Sequence, residues 1–69
     1  MNADQKMTAK MASLPTEQLV EISLRLTLDT SAEAIIDCNR AERELSRRMT
    51  EADFIDHMDA CEALLDAAA

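Results

Sequence analysis

The chain has 69 residues, with no glycine, tryptophan or tyrosine, one proline and one phenylalanine. It carries 14 acidic and seven basic side chains, a formal net charge of −7. So short a chain buries too little surface to form a large catalytic cleft. The lack of glycine and the single aromatic ring argue against a β-sandwich or barrel, and 48% apolar residues argue against complete disorder. We therefore expect an all-α protein that binds a partner and is not an enzyme.

Charge and cysteine content bear on location and partners. No apolar run is long enough for a signal peptide or a transmembrane helix, so a cytoplasmic protein is expected. Its two cysteines are then expected to be reduced thiols. The net negative charge falls entirely in residues 29–69, so nucleic acid is not an expected partner. We also expect no cofactor, no bound metal and no membrane contact.

The N-terminal third of the chain contains one predicted helix. Residues 1–12 are polar and show no clear period, which predicts a mobile tail or a frayed helix. Residues 13–69 are predicted to form a single helical domain. Its first helix covers residues 16–28 and follows the only proline, with Ser13 or Thr16 as the N-terminal cap.

Residues 20–28 are ambiguous, because apolar and polar residues alternate there as they do in a strand. The excess of leucine over β-branched residues favours a helix. Such a helix is apolar on two sides and needs a neighbour on each. One apolar stripe consists of Leu19, Ile22 and Leu26, and the other of Val20, Leu24 and Leu28.

Two further helices are predicted at residues 31–48 and 51–67. The first begins at a capping box, in which the Thr30 hydroxyl caps the helix and the Glu33 side chain reaches back. A weaker box begins at Thr50. Because the connection between these two helices is very short, they are predicted to form an antiparallel hairpin.

The apolar residues of the predicted hairpin are in register. On both helices they recur at spacings of four, three and four, the pattern of a helix-packing seam. Folding the chain between Met49 and Thr50 places them in facing pairs. The predicted hairpin core is Ala34, Cys38, Ala41 and Leu45 on one helix, facing Leu65, Cys61, Met58 and Phe54 on the other.

The hairpin leaves more apolar surface than one copy of the chain can cover, so a homodimer is expected. An arginine stripe on the helix at 31–48 is either a solvated face or a docking surface for carboxylates. The residues assigned to the dimer or to partner binding are Leu19, Val20, Ile22, Leu24, Leu26, Leu28, Arg40, Arg43 and Arg47.

Three other groups of side chains have a plain interpretation and a functional alternative. Cys38 and Cys61 share a layer of the hairpin as packed thiols, with a redox switch as the alternative. His57 lies one turn from Cys61, which permits half of a metal site, but an exposed histidine is favoured. An acidic stripe on the last helix is a solvated face or a mimic of a phosphate backbone. Its members are Asp56, Asp59, Glu62 and Asp66.

The short, acidic, glycine-free helical hairpin without a catalytic motif resembles accessory proteins that temperate bacteriophages make to redirect their hosts. Among such proteins, it resembles the quorum-sensing anti-activators of Pseudomonas phages. The resemblance covers the overall character of residues 14–67 and includes no motif. It implies a small helical homodimer that binds a host regulatory protein, such as a LuxR-type transcription activator, in the host cytoplasm and inhibits it.

Two other functions remain open at this stage. A ribbon-helix-helix repressor or antitoxin would require residues 20–28 to be a strand, with Ser23, Arg25 and Thr27 pointing at base edges. An acidic DNA mimic, such as an anti-CRISPR inhibitor, would use the acidic stripe of the last helix.

Overall fold

The computed structural model of this chain describes residues 2–69. Over these residues the chain has four helices and no strand, which confirms the all-α class. Residues 20–27 are helical, so the helix interpretation of the ambiguous segment is confirmed. The helices are α1 (Ala3–Ser13), α2 (Thr16–Thr27), α3 (Ala32–Arg48) and α4 (Glu51–Ala68).

Helix α1 lies where the sequence predicts a mobile tail or a frayed helix at residues 1–12. Asn2 accepts a hydrogen bond from the backbone N–H of Gln5 at 2.8 Å, and the Gln5 side chain accepts one from the backbone N–H of Asn2 at 3.1 Å. This reciprocal capping box gives hydrogen-bond acceptors to two backbone N–H groups at the start of the helix. The predicted number of helices is therefore corrected from three to four, and Met1 of the predicted tail lies outside the described residues.

Arg48, the last residue of α3, fastens the end of α1. Its guanidinium donates to the carbonyl oxygens of Leu14 at 2.7 Å, Ala12 at 2.8 Å and Met11 at 3.4 Å. The C-terminal carbonyls of a helix have no partner within it, and the helix dipole makes that end negative. Glu44 accepts a hydrogen bond from Arg48 at 3.1 Å and holds the guanidinium in place.

Helix α2 begins without a side-chain cap. Pro15 occupies the cap position, and neither Ser13 nor Thr16 caps the helix, contrary to the prediction. Each hydroxyl has another partner: Ser13 donates to the carbonyl oxygen of Lys10 at 2.7 Å, and the Thr16 hydroxyl accepts from Arg48 at 3.3 Å.

The predicted caps of the last two helices differ in outcome. Ser31, not Thr30, caps α3, because the helix begins one residue later than the predicted box requires. The Ser31 hydroxyl accepts from the N–H of Ala34 at 3.2 Å. Thr50 caps α4 as predicted, accepting from the N–H of Asp53 at 3.2 Å.

Helix α2 connects the last two helices. It has its most extensive contact with α3 and the next with α4, whereas α3 and α4 have only a small contact with each other. Leu19, Ala41 and Leu45 are fully buried, and Met11 joins them from α1. The core therefore forms where α2 and α1 cover α3.

The direct seam predicted between the last two helices is not confirmed. The short connection is present, but α3 and α4 pack mainly on α2 and little on each other. Homodimerisation is likewise not confirmed and remains a proposal. Of the predicted hairpin core, Ala34, Cys38, Ala41, Leu45 and Cys61 are buried, Phe54 and Met58 are partly buried, and Leu65 is exposed.

Replacing Arg48 tests how α1 is held. We expect Arg48→Ala to lower the free energy of unfolding by about 1–2 kcal/mol, because the last carbonyls of α1 lose a charged donor. Urea unfolding followed by circular dichroism measures the change.

Arg47→Ala is the matched control for this substitution. The Arg47 side chain is 70% exposed and pairs with Glu44, so a loss of about 0.5 kcal/mol or less is expected. Equal losses in the two variants would contradict the role assigned to Arg48.

Candidate functional site

An open groove lies between α3 and α4, and the C-terminal part of α2 contributes to its lining. Its volume is about 350 Å³, within the range of roughly 300–1,000 Å³ that is typical of ligand pockets. The apolar and thiol side chains that line it are Leu26, Ile35, Cys38, Met58, Cys61 and Leu65.

Four of these side chains belong to the predicted hairpin core. Cys38 lies on α3, and Met58, Cys61 and Leu65 lie on α4 at spacings of three and four. In the structure they line a groove because α3 and α4 do not pack closely together. The groove thus presents residues with the spacing of a helix-packing seam to an open space.

Every charged side chain that lines the groove, within the part of the chain the structure describes, is acidic. They are Asp29, Glu42, Asp59 and Glu62. The backbone N–H of Ser31 donates to Asp29 at 2.9 Å. Hydrogen bonds from the backbone and side chain of Ser31 lower the pKa of Asp29, so this carboxylate is negatively charged at neutral pH.

A buried polar network joins α2 to α4 beside the groove. Ser23 Oγ lies 3.0 Å from His57 Nε2, and Cys61 Sγ lies 3.7 Å from the same nitrogen. Ser23 is 0% exposed and His57 is 6% exposed. The predicted exposed His57 is therefore wrong, because its ring has a buried hydroxyl partner on α2. Either the serine hydroxyl donates to the nitrogen or a protonated Nε2 donates to the hydroxyl, depending on the tautomer.

Cys38 extends the network to α3. Its thiol sulfur lies 3.7 Å from the carbonyl oxygen of Ser23 and 3.3 Å from the Glu42 carboxylate, and its single S–H can donate to either. The Thr27 hydroxyl donates to the same carbonyl at 2.8 Å. Burial raises the pKa of the Cys38 thiol, and the neighbouring Glu42 raises it further. The thiol is therefore neutral near pH 7 and weakly nucleophilic.

The buried polar network connects the helices, and its Ser23–His57 pair is not positioned to react with a molecule in the groove. Ser23 and His57 are within hydrogen-bond distance, as a nucleophile and its base would be. However, both are buried, and neither lines the groove. A substrate in the groove would meet the walls formed by Met58 and Leu65 instead. The arrangement is a buried polar network that connects α2, α3 and α4.

The two predicted apolar stripes of α2 have different surroundings. Leu19 is fully buried in the core, and Leu26 lines the groove. Val20 and Ile22 are partly buried against the core. Only Leu28 among the stripe residues is exposed, at 49%, and Leu24 is partly buried.

The predicted arginine stripe lies on α3 beside α1, next to a smaller cleft of about 190 Å³. Arg40 donates to Asp4 of α1 and to Asp37, both at 2.6 Å, so it links the two helices. Arg47 donates to Glu44. Two of the three arginines are therefore paired within the chain. The stripe consists of Arg40, Arg43 and Arg47.

The comparisons add no relative: no family model, no curated protein and no solved structure matches the chain. Among residues 2–69, no helix has the length and apolar character needed to cross a membrane. No group of three histidine, cysteine or carboxylate side chains is placed to hold a metal ion in the same range. The groove and its charges are therefore the basis for a proposed function.

Removing the Ser23 hydroxyl tests how much the buried polar network contributes to stability. We expect Ser23→Ala to lower the free energy of unfolding by about 1–3 kcal/mol, because a buried His57 nitrogen loses its hydroxyl partner. Urea unfolding measures the loss. Ser46→Ala is the matched control, since Ser46 is exposed on α3, and a change within about 0.5 kcal/mol is expected there. Equal stability of the two variants would show that the hydroxyl contributes nothing.

Proposed function

We propose that this chain is a non-enzymatic binding protein that inhibits or sequesters a regulatory protein by stoichiometric contact. The groove between α3 and α4 carries the proposal. Its walls have the spacing of a helix-packing seam, but none of the helices in residues 2–69 fills it. An apolar groove whose lining residues recur at helical spacing can receive a helix of a partner protein.

The resemblance of the sequence to quorum-sensing anti-activators of Pseudomonas phages suggests the class of target. We take a LuxR-type transcription activator, in the cytoplasm of a bacterial host, as the first candidate. The ribbon-helix-helix alternative requires residues 20–28 to form a strand with Ser23 pointing outward. In the structure residues 20–27 are helical and Ser23 is buried, which argues against this alternative. A chain of net charge −7 is also repelled by the negatively charged phosphates of DNA.

The proposed binding protein acts as a homodimer that assembles through apolar side chains outside the groove. Leu28 is 49% exposed and lies one turn from the partly buried Leu24, so the two share a face of α2. Leu19 and Leu26 belong to the core and to the groove. The second stripe of α2 is therefore the better candidate for the dimer contact.

Target capture tests the proposed function. A tagged full-length chain is used to retain proteins from a nuclease-treated bacterial lysate, and a retained regulator is then titrated in purified form by calorimetry. We expect a complex of fixed stoichiometry that Leu65→Asp weakens at least about tenfold, because a charge enters the apolar groove.

Ile55→Asp is the matched control for capture. Ile55 and Leu65 are both 51% exposed on α4, but only Leu65 lines the groove. Equal loss of the target in both variants would contradict binding in the groove. Retention of DNA, or of no protein in a fixed ratio, would contradict the proposed function itself.

Self-association is tested with a second substitution. We expect Leu28→Asp to raise the dissociation constant of the dimer at least about tenfold, because the new carboxylates meet across the proposed contact. Sedimentation equilibrium measures the change. Leu65→Asp serves as the control and is expected to remain dimeric. A wild-type chain that stays monomeric at millimolar concentration would refute the dimer.

A further inference from the structure

We propose that the groove between α3 and α4 binds an amphipathic helix of the partner protein, with Lys or Arg on both sides of its apolar stripe. This inference rests on the proposed function and specifies the chemistry of the partner. It follows from the spacing of the apolar walls, the size of the groove and the sign of its charges.

The spacing of the walls indicates a helical occupant. Met58, Cys61 and Leu65 follow one another at three and four residues along α4, and Cys38 stands on the α3 side. This is the spacing with which one helix receives the side chains of another. Where two such helices stand apart, a third helix can place its own apolar stripe between them.

The volume of the groove fits the anchoring side chains of one helix. It measures about 350 Å³, roughly twice the 150 Å³ apolar cavity that holds one benzene molecule. Two large apolar side chains therefore fill it. A partner helix provides such a pair at positions three or four residues apart, on a single face.

The charges around the groove indicate that the occupant is basic. Asp29 and Glu42 lie on the α2 and α3 sides, and Asp59 and Glu62 lie on the α4 side. An apolar helix flanked by Lys or Arg would pack the aliphatic stems of these residues on the walls and place the charged groups near the carboxylates. The net charge of −7 would also attract such a helix from a distance.

A second copy of this chain fits the groove less well. A copy could offer the arginine stripe of α3, but Arg40 and Arg47 are already paired with carboxylates of their own chain. A different protein supplies the basic helix in this account.

Two designed peptides test the inference. Each has about 18 residues, enough for a stable helix, with leucines at the spacing of the groove walls. One carries lysines beside the leucine stripe, and the other has glutamate in place of each lysine. Fluorescence anisotropy with the full-length chain measures both affinities. We expect the lysine peptide to bind at least about tenfold more tightly, with a difference that shrinks as salt is added.

A matched pair of variants separates the groove acids from net charge. Glu62→Lys and Asp56→Lys make the same change in charge on exposed residues of α4, but only Glu62 lines the groove. We expect Glu62→Lys to weaken the lysine peptide several-fold more than Asp56→Lys does. Circular dichroism checks that both variants fold. Equal effects of the two variants, or equal binding of the two peptides, would overturn the inference.

Failure of this inference can be distinguished from failure of the proposed function. If the lysine peptide does not bind while the chain still captures its target and Leu65→Asp abolishes that capture, the basic helix is wrong and the proposed function stands. If the peptide dissociates a dimer on binding, as shown by sedimentation, a second copy occupies the groove and the inference is overturned. Failure of target capture alone contradicts the proposed function and leaves the peptide result unaffected.

Discussion

The fully buried side chain of Ser23 determines how the last two helices lie against α2. A small residue at this position lets α4 approach closely enough for a 3.0 Å contact between Ser23 Oγ and His57 Nε2, and the Ser23 carbonyl accepts from Cys38 on α3. Both helices therefore pack on α2 in preference to each other. The space left between α3 and α4 is the groove, which lies beside this buried polar contact.

The distribution of charge follows from the way α1 is attached. Arg40 and Arg48 join α3 to α1, the first through Asp4 and the second through the carbonyl oxygens at the end of that helix. Both arginine side chains are therefore hydrogen-bonded on the α1 side of the molecule. The carboxylates on the groove side, Asp59 and Glu62 among them, have no lysine or arginine beside them in the groove lining. The groove lining therefore carries negative charge without a neighbouring cation of its own.

Local patterns in the sequence predict α2, α3 and α4 to within one residue at each end, because caps and apolar periods act over a single turn. Helix α1 is missed because its capping box is formed by Asn2 and Gln5, a less familiar pair, and because its main anchor, Arg48, is distant in sequence. The spacing of Met58 and Leu65 predicts a packing seam with α3, but in the structure the two residues line the groove. The spacing does not say which helix the two residues face, so the groove could not be predicted.

The Ser23–His57 contact is missed for a related reason. The alternation around Ser23 suggests an outward polar residue, but on a helix Ser23 shares a face with Leu19 and Leu26. That face is buried, and a serine on it needs a partner. A search for polar residues on the apolar face of a predicted helix would have identified Ser23, although not His57 as its partner.

Helix α2, rather than a direct seam, holds α3 and α4 in place. Nuclear Overhauser effects in the full-length chain test this arrangement. We expect contacts between the β-protons of Ser23 and the ring protons of His57. Their absence, together with contacts between the methyl groups of Ala34 and Leu65, would show instead that α3 and α4 pack directly on each other.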